Sequence, residues 1–138
     1  MSDAIHASGA PKAVGRYPHA RRVGDLLFLS GIGPRTPGDD TIPGNVHDDD
    51  GTLVAYDIVA QCHSVFANVR AVLLASGARW QDLVDVTVYL TDMGAFTEVN
   101  EVYGGYFGDS PPARVAIGVA ALPKGAQVEM DAVLALEP

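Results

Sequence analysis

Residues 111–132, near the end of this 138-residue chain, read PPARVAIGVAALPKGAQVEMDA. Two runs rich in Val, Ile and Ala flank a Leu-Pro-Lys-Gly-Ala turn, so the stretch predicts a β-hairpin. Each run carries one charge that a core hairpin does not need, Arg114 in the first and Glu129 in the second. A guanidinium can bind a carboxylate and a carboxylate can move a proton, so this pair suits chemistry on an organic acid.

The second run alternates, so that Glu129 and Asp131 share the strand face opposite the apolar one. If the turn is centred on Lys124, Arg114 and Glu129 lie about 13 Å apart along the ladder. One chain would then bind substrate through Arg114, while its Glu129 would complete a site with the Arg114 of a neighbouring copy. The alternative is structural, a strand-edge arginine and a solvated glutamate that pair with each other.

A helix is predicted over residues 57–76, where apolar residues recur every three or four positions. Asp57 suits its N-cap and Gly77 its C-terminal end. Cys62 lies on the apolar stripe, so we expect it to be buried rather than nucleophilic. His63 lies one position off the stripe and is expected at the surface. The stripe comprises Ile58, Cys62, Val65, Phe66, Val69, Val72 and Leu73.

A strand and a second helix follow. Residues 84–90 alternate, which predicts a strand with the valines and Leu90 on the core face. Residues 93–107 predict a helix capped by Asp92. Within it, Asn100 is equally consistent with an exposed polar position and with a role in binding. The residues that share this helix's apolar face are Phe96, Val99, Tyr103 and Phe107.

The first third of the chain carries weaker patterns. Residues 1–12 are expected to be a flexible N-terminal arm. Residues 26–30 form an apolar run of strand length that ends at Gly31. Residues 31–52 are expected to be a long loop, and long ordered loops are often functional. Its acidic segment, residues 47–51, lacks the ligand spacing of an EF-hand and is expected to be a solvated turn.

These elements predict a single α+β domain over residues 1–138, with a mixed or antiparallel sheet and two helices on one face. The opposite face is polar at Glu129 and Asp131 but apolar at Val133 and Ala135. A half-apolar open face favours cover by another copy of the chain.

The amino-acid composition disfavours several classes of function. Hydrophobic residues make up 48% of the chain and charged residues 19%, typical of a globular domain. The net charge of −8 disfavours nucleic acids and anionic membranes as partners. The single cysteine excludes an internal disulfide, and neither a signal peptide nor an apolar run of about 18 residues is found. We therefore expect a cytoplasmic protein.

Several kinds of catalytic site lack their motifs. The chain has no G-x-S-x-G nucleophile elbow and no glycine-rich phosphate loop. The four histidines, at positions 6, 19, 47 and 63, do not form a helical metal-binding pair. Arg114 and Glu129 remain as the candidates.

Short motifs lie along nearly the whole chain. They are residues 111–132, Gly15, Tyr17-Pro18, Leu29-Ser30-Gly31, Asn68-Val69, Gly77 and Thr87-Val88-Tyr89-Leu90-Thr91-Asp92. Together these motifs resemble the RidA/YjgF family of imine/enamine deaminases. The resemblance implies a chorismate-mutase-like fold assembled as a homotrimer, with three active sites at subunit interfaces. It also implies a small carboxylate substrate and no metal or organic cofactor.

The same resemblance implies roles for individual residues. Arg114 falls at the position that binds the substrate carboxylate, and Glu129 at the position that holds the attacking water. The expected lining of the pocket comprises Tyr17, Ser30, Gly31 and Asn100.

The segments Tyr17-Pro18-His19, residues 24–31, Arg35 and residues 100–104 resemble the 2-aminomuconate deaminases of aromatic-compound degradation. 2-Aminomuconate is a six-carbon dicarboxylate, so its site should offer two cations. We expect Arg114 to bind one carboxylate and Arg35 the other, with His19 or Arg16 in reserve. The alternative for Arg35 is a mobile loop charge.

Three other functions remain open. A broad-specificity 2-iminobutanoate/2-iminopropanoate deaminase needs only one carboxylate contact. A non-enzymatic trimer would bind small acids without releasing ammonia. RNA cleavage is opposed by the acidic net charge and by the lack of a basic patch.

Overall fold

A computed structural model describes residues 2–137 of the chain. It contains eight strands and two α-helices, with short 3-10 turns between some of them. In chain order these are β1 (Ser2–Ile5), β2 (Ala20–Val23), β3 (Leu26–Ile32), β4 (Val46–His47), β5 (Leu53–Ala55), α1 (Ile58–Ser76), β6 (Leu83–Leu90), α2 (Phe96–Phe107), β7 (Ala113–Gly118) and β8 (Val128–Ala135).

Six strands form one sheet in the order β1-β2-β3-β8-β6-β7, and β4 and β5 pair separately. Every neighbouring pair in the large sheet is antiparallel except β6 and β7. Both helices pack on the face of the sheet from which β8 contributes its apolar residues to the core. The predicted α+β class and mostly antiparallel sheet are confirmed.

Helix α1 forms as its sequence predicts. The Asp57 side chain accepts a hydrogen bond from the backbone N–H of Ala60, which caps the first turn. Gly77 ends the helix with φ 67°, a left-handed conformation that favours glycine. Cys62 is 2% exposed, as expected for a residue on the apolar stripe, and His63 is exposed.

The 19 residues of α1 are long and apolar enough to cross a membrane by length and composition, although the sequence shows no unbroken apolar run of that length. Half of this helix is buried inside the molecule. Such burial is typical of the core helix of a globular domain.

The predicted hairpin between the two runs of residues 111–132 is wrong. Strand β6 lies between β7 and β8, pairing in parallel with β7 and antiparallel with β8. The reason is that α2 supplies the long crossover that two parallel strands require, so β6, α2 and β7 form one unit. The chain then returns across the end of β6, and β8 pairs with its other edge.

Two predictions for the first third of the chain also need correction. Residues 2–5 are not a flexible arm, because β1 pairs with β2 and the following Ala7 and Ala10 are buried. The predicted loop over residues 31–52 contains β4, which pairs with β5 in a short hairpin. The connecting residues 48–51 are exposed, as expected of a solvated turn.

The sheet face without helices is partly apolar, as the sequence indicates. Its polar centre is formed by Glu129 and Asp131 on β8. Large apolar side chains around this centre are between 40% and 53% exposed, namely Val23, Leu26, Phe28, Val115 and Ile117. We call this surface the open face.

Candidate active site at the open face

Glu129 lies where β3 is irregular. The pairing of β3 with β8 shifts between Leu29 and Ile32, which marks a β-bulge at that point. A Cβ on Gly31 would lie 3.2 Å from the carboxyl carbon of Glu129. The Glu129 carboxyl group therefore packs against bare backbone, and any larger residue at position 31 would displace it.

A small cavity beside the bulge collects four of the predicted substrate-binding residues: Tyr17, Ser30, Gly31 and Arg35. Glu129 does not line this cavity but packs against Gly31, which does. We call the four lining residues and Glu129 the Glu129 cluster. The cavity measures about 30 Å³, room for about two water molecules. A substrate with several carbon atoms needs more space than this cavity provides.

Hydrogen bonds to the preceding segment hold the cavity wall. The Ser30 hydroxyl donates to the carbonyl oxygen of Pro18 at 2.7 Å. The His19 Nδ1 atom accepts from the backbone N–H of Ala7 at 2.9 Å, which leaves Nε2 to donate to the Pro11 carbonyl at 2.7 Å. His19 therefore holds the N-terminal segment with both ring nitrogens, which leaves neither nitrogen free for the reserve role of contacting a substrate carboxylate.

Arg35 is anchored on one side of the cavity. Its Nη2 donates to the Lys12 carbonyl at 2.7 Å, and its Nη1 donates to the Asp40 carboxylate at 2.8 Å. The Arg35 side chain is only 15% exposed. The predicted alternative of a mobile loop charge is wrong, because both ends of the guanidinium have partners.

Two polar residues of α1 fix the backbone before Arg35. The Asn68 amide donates to the carbonyl oxygens of Gly33 and Arg35, and the Ser64 hydroxyl donates to that of Pro34. Neither role was predicted from the sequence. Their spacing of four residues beside the apolar stripe was the available signal, since it places both on one helical face.

The environment of Glu129 raises the pKa of its carboxyl group. Burial raises the pKa of Glu129 above the ordinary 4.5, the nearby Asp131 carboxylate raises it further, and Arg35 opposes the shift. Asp131 itself accepts a hydrogen bond from the Tyr89 hydroxyl at 2.8 Å. A raised pKa makes a carboxylate a stronger base, which suits a group that takes a proton and returns it.

Arg114 lies in a different environment. Its Nη1 donates to the Asn100 side-chain oxygen at 2.7 Å, and the guanidinium carbon lies 4.7 Å from the centre of the Tyr103 ring and 5.6 Å from that of Phe96. We call these four residues the Arg114 cluster. Among residues 2–137, no carboxylate lies within ion-pair distance of Arg114. The guanidinium is therefore oriented by an amide and two rings and lacks a counterion.

The two clusters lie on opposite faces of one sheet. Arg114 is level with Val86 of β6, and Glu129 is level with Tyr89 of the same strand. The offset is three residues along the sheet and two strands across it, roughly 10 Å in each direction. The predicted 13 Å along a shared ladder is wrong because no such ladder exists. Within one chain, Arg114 and Asn100 are not brought to the Glu129 cluster.

Other chemically notable groups lie outside both clusters. Burial raises the pKa of Cys62 to about 12, so this thiol is a poor nucleophile. Gln61 is fully buried and joins the backbone N–H of Gln127 to the side chain of Asn45. Within the described part of the chain, no group of three or more His, Cys, Asp or Glu side chains is placed to hold a metal ion.

Comparisons with known proteins extend over nearly the whole chain. The family model described as Endoribonuclease L-PSP matches residues 7–136. Protein DfrA of Myxococcus xanthus is 46% identical over 132 residues, which covers 94% of this chain and 92% of that protein. A Dermatophagoides farinae protein named 2-iminobutanoate/2-iminopropanoate deaminase is 33% identical over 129 residues, covering 93% and 91%. The crystal structure of E. coli TdcF with bound serine superposes with a TM-score of 0.84 at 30% identity, covering 98% of this chain and 99% of that one.

Proposed function

Since the chain belongs to the endoribonuclease L-PSP family, that of the RidA and YjgF proteins, we propose that it is a deaminase. In this proposal it hydrolyses the C–N bond of a small enamine or imine that carries a carboxylate. The observation that carries the proposal is the state of Arg114. A half-buried guanidinium, held by two rings and an amide and without a carboxylate partner among residues 2–137, is prepared to bind a carboxylate.

The proposed site forms between two copies of the chain. Arg114 and Glu129 lie on opposite faces of one sheet, so a substrate that meets both must bridge two chains. The open face carries exposed apolar side chains around Glu129, which supports its burial against a neighbour. A closed ring of three such contacts gives a homotrimer with three equivalent sites.

In the proposed reaction, the enamine first becomes the imine, whose carbon next to the carboxylate is electrophilic. Arg114 binds that carboxylate and orients the carbon. Glu129 takes a proton from a water molecule, whose oxygen attacks the carbon, and returns that proton to the imine nitrogen to give a neutral carbinolamine. The carboxylate then takes the proton of the new hydroxyl group and passes it to the amino group, so that the C–N bond breaks and ammonia leaves as the ketone forms. The overall change consumes one water and releases one ammonia.

We propose 2-aminomuconate as the substrate, which would become 2-oxohex-3-enedioate (4-oxalocrotonate) in aromatic-compound degradation. Support comes from Arg35, a second cation that lines the cavity of the Glu129 cluster. A dicarboxylate can use Arg35 and Arg114 together, whereas a monocarboxylate uses one of them.

The second candidate is broad deamination of 2-iminobutanoate and 2-iminopropanoate. It is favoured by the 33% identity to the relative that bears this activity in its name. Only one carboxylate contact is needed for these substrates. In this case Arg35 would serve the structure of the loop rather than the substrate.

Ammonia release from freshly generated 2-aminomuconate and from 2-iminobutanoate tests both candidates. Turnover of the first with a selective loss in Arg35→Ala supports the 2-aminomuconate assignment, whereas turnover of the second alone supports the broad deaminase. Saturable binding without ammonia release from either compound would overturn the enzymatic proposal and favour a small-acid-binding trimer.

A further inference from the structure

The Asp40 carboxylate forms an ion pair with Arg35 and has no role in the reaction described above. We propose that the Asp40 carboxylate is an internal substitute for the distal carboxylate of a dicarboxylate ligand, and that such a ligand displaces it from Arg35. The identity of the natural ligand rests on the proposed function. The exchange of carboxylates on Arg35 does not require turnover.

In the ion pair between Arg35 and Asp40, Arg35 is held firmly by other parts of the chain. Its backbone carbonyl and those of Gly33 and Pro34 are held by hydrogen bonds from α1. Its Nη2 is fixed on the Lys12 carbonyl. The guanidinium therefore keeps its place at the cavity whether or not Asp40 is bound to it.

The Asp40 half is more easily moved. Its side chain is 60% exposed and touches Arg35 through one oxygen only, Oδ1 at 2.8 Å from Nη1. Asp40 has φ 62°, a left-handed conformation uncommon outside glycine, Asn and Asp. It lies in a small turn closed by backbone hydrogen bonds between Thr36 and Thr41 and between Asp40 and Thr36. A single exposed contact on a surface turn is a weak attachment.

The position of Arg35 connects this exchange to the candidate site. Arg35 lines the same cavity as Tyr17 and Gly31, and it lies close enough to Glu129 to lower the pKa of that carboxyl group. A carboxylate that enters the cavity therefore meets Arg35, and the Gly31 backbone that lines the same cavity packs against Glu129.

The exchange has a physical reason. Arg35 is largely buried, and a buried cation without a partner is costly. Asp40 satisfies it when the site is empty or holds a short ligand. A dicarboxylate replaces one carboxylate with another, so no charge is left unpaired. Asp40 thus competes with the distal carboxylate, and its removal should tighten dicarboxylate binding while leaving monocarboxylate binding unchanged.

The test measures binding of adipate, an unreactive six-carbon dicarboxylate, and of butanoate by isothermal titration calorimetry. The variant is Asp40→Asn, because asparagine tolerates the positive φ and removes only the charge. The matched control is Asp39→Asn. Asp39 carries the same charge one residue away, accepts hydrogen bonds from Thr41, and does not contact Arg35.

We expect Asp40→Asn to bind adipate several-fold more tightly than the wild type, with butanoate affinity unchanged and no gain in Asp39→Asn. The gain should vanish when Arg35→Gln is added to Asp40→Asn. Weaker or equal adipate binding in Asp40→Asn, an equal gain in Asp39→Asn, or no adipate binding by either protein would overturn the proposal. This test measures binding and not turnover. A failure to release ammonia would therefore contradict the proposed function without affecting the binding result.

Discussion

The Glu129 cluster lies where the sheet is irregular, whereas the Arg114 cluster lies where it is regular. Glu129 packs on a bulge of β3, against a glycine and a wall held by backbone carbonyls. Arg114 projects from an unbroken parallel pairing onto α2, where side chains alone orient it. The first cluster depends on backbone shape and the second on side-chain packing.

Because of this difference, each cluster suits a different part of the proposed reaction. A bulge and a bare backbone give space for a water molecule and for a carboxyl group with a raised pKa, which suits proton transfer. Two rings and an amide give a fixed cation, which suits recognition. Mutations in the two clusters should therefore change different kinetic constants, and the following predictions test that division.

The largest effect is expected at Glu129. In Glu129→Gln, kcat should fall about 10²- to 10⁴-fold, the range for loss of a general base, while KM changes little. Steady-state ammonia release measures both constants. An unchanged kcat would remove Glu129 from the mechanism.

The same substitution, Glu129→Gln, should increase the thermal stability of the fold although it lowers kcat. Because the pKa of Glu129 is raised in the folded state, this group stabilises the fold below its unfolded pKa, and that contribution is lost as pH rises through the folded pKa. Glu129→Gln should therefore melt at a higher temperature than the wild type at pH 7, with the difference shrinking in acid.

A slightly smaller effect is expected at Arg114, and in a different constant. Arg114→Ala removes the carboxylate contact and should lower kcat/KM about 10²- to 10³-fold, largely through KM. Arg114→Lys keeps the charge but loses the forked geometry, so it should fall between the wild type and Arg114→Ala. Activity within a few-fold of wild type in Arg114→Ala would contradict the assignment.

Mixing these two inactive variants tests whether the clusters of different copies meet. If each site takes Arg114 from one chain and Glu129 from another, Arg114→Ala and Glu129→Gln should complement after the subunits are exchanged. Random mixing gives an intact pair at about one quarter of the sites. The control is each variant exchanged with itself, which should stay inactive. No recovery in the mixture would argue against a shared site.

The two clusters also differ in how far their sequences predicted them. The alternation of β8 placed Glu129 on the open face, and the local signals of Asp57 and Gly77 placed the ends of α1. Periodicity assigns faces but not neighbours, so it did not show that β6 separates β7 from β8. The order strand, helix, strand from β6 to β7 was the available signal, because a helix between two strands is the usual connection of a parallel pair.

Contacts made by side chains across elements were not predictable in the same way. Asn100 was expected to line the substrate pocket, and that role stays a prediction. Its hydrogen bond with Arg114 was not predicted, because it depends on how α2 packs over β7. The contact between Asp40 and Arg35 depends on a turn with positive φ, for which the residues around Asp40 gave no clear pattern.

A moderate effect is expected at Asn100, which orients Arg114. Asn100→Ala should lower kcat/KM about tenfold, in line with the loss of one hydrogen bond to a charged group. Asn100→Asp should cost more, since its carboxylate would pair with Arg114 and compete with substrate. The control is Glu101→Ala, an exposed position on the same helix, which should retain activity. Equal activity in all three variants would mean that Arg114 is oriented by its rings alone.

The smallest effect is expected in the pH dependence of kcat/KM, which should be set by the pKa of Glu129. Glu129 must be ionised to accept a proton, so activity should rise with pH through its pKa. Asp131 is one cause of the raised pKa. Asp131→Asn removes that charge, lowers the pKa of Glu129, and should shift the acidic limb of kcat/KM to lower pH.

Two matched variants make this last prediction decisive. Tyr89→Phe removes the hydrogen bond to Asp131 but keeps its charge, so the acidic limb should not move to lower pH. Arg35→Gln removes the cation that lowers the pKa of Glu129, so the limb should move to higher pH. Shifts of opposite sign at Asp131 and Arg35, with plateau activity retained in Asp131→Asn, would place the titrating group at Glu129. An unchanged limb in both variants would mean that some other group sets the pH dependence, since both substitutions alter the charge beside Glu129 and neither touches the Arg114 cluster of the same chain.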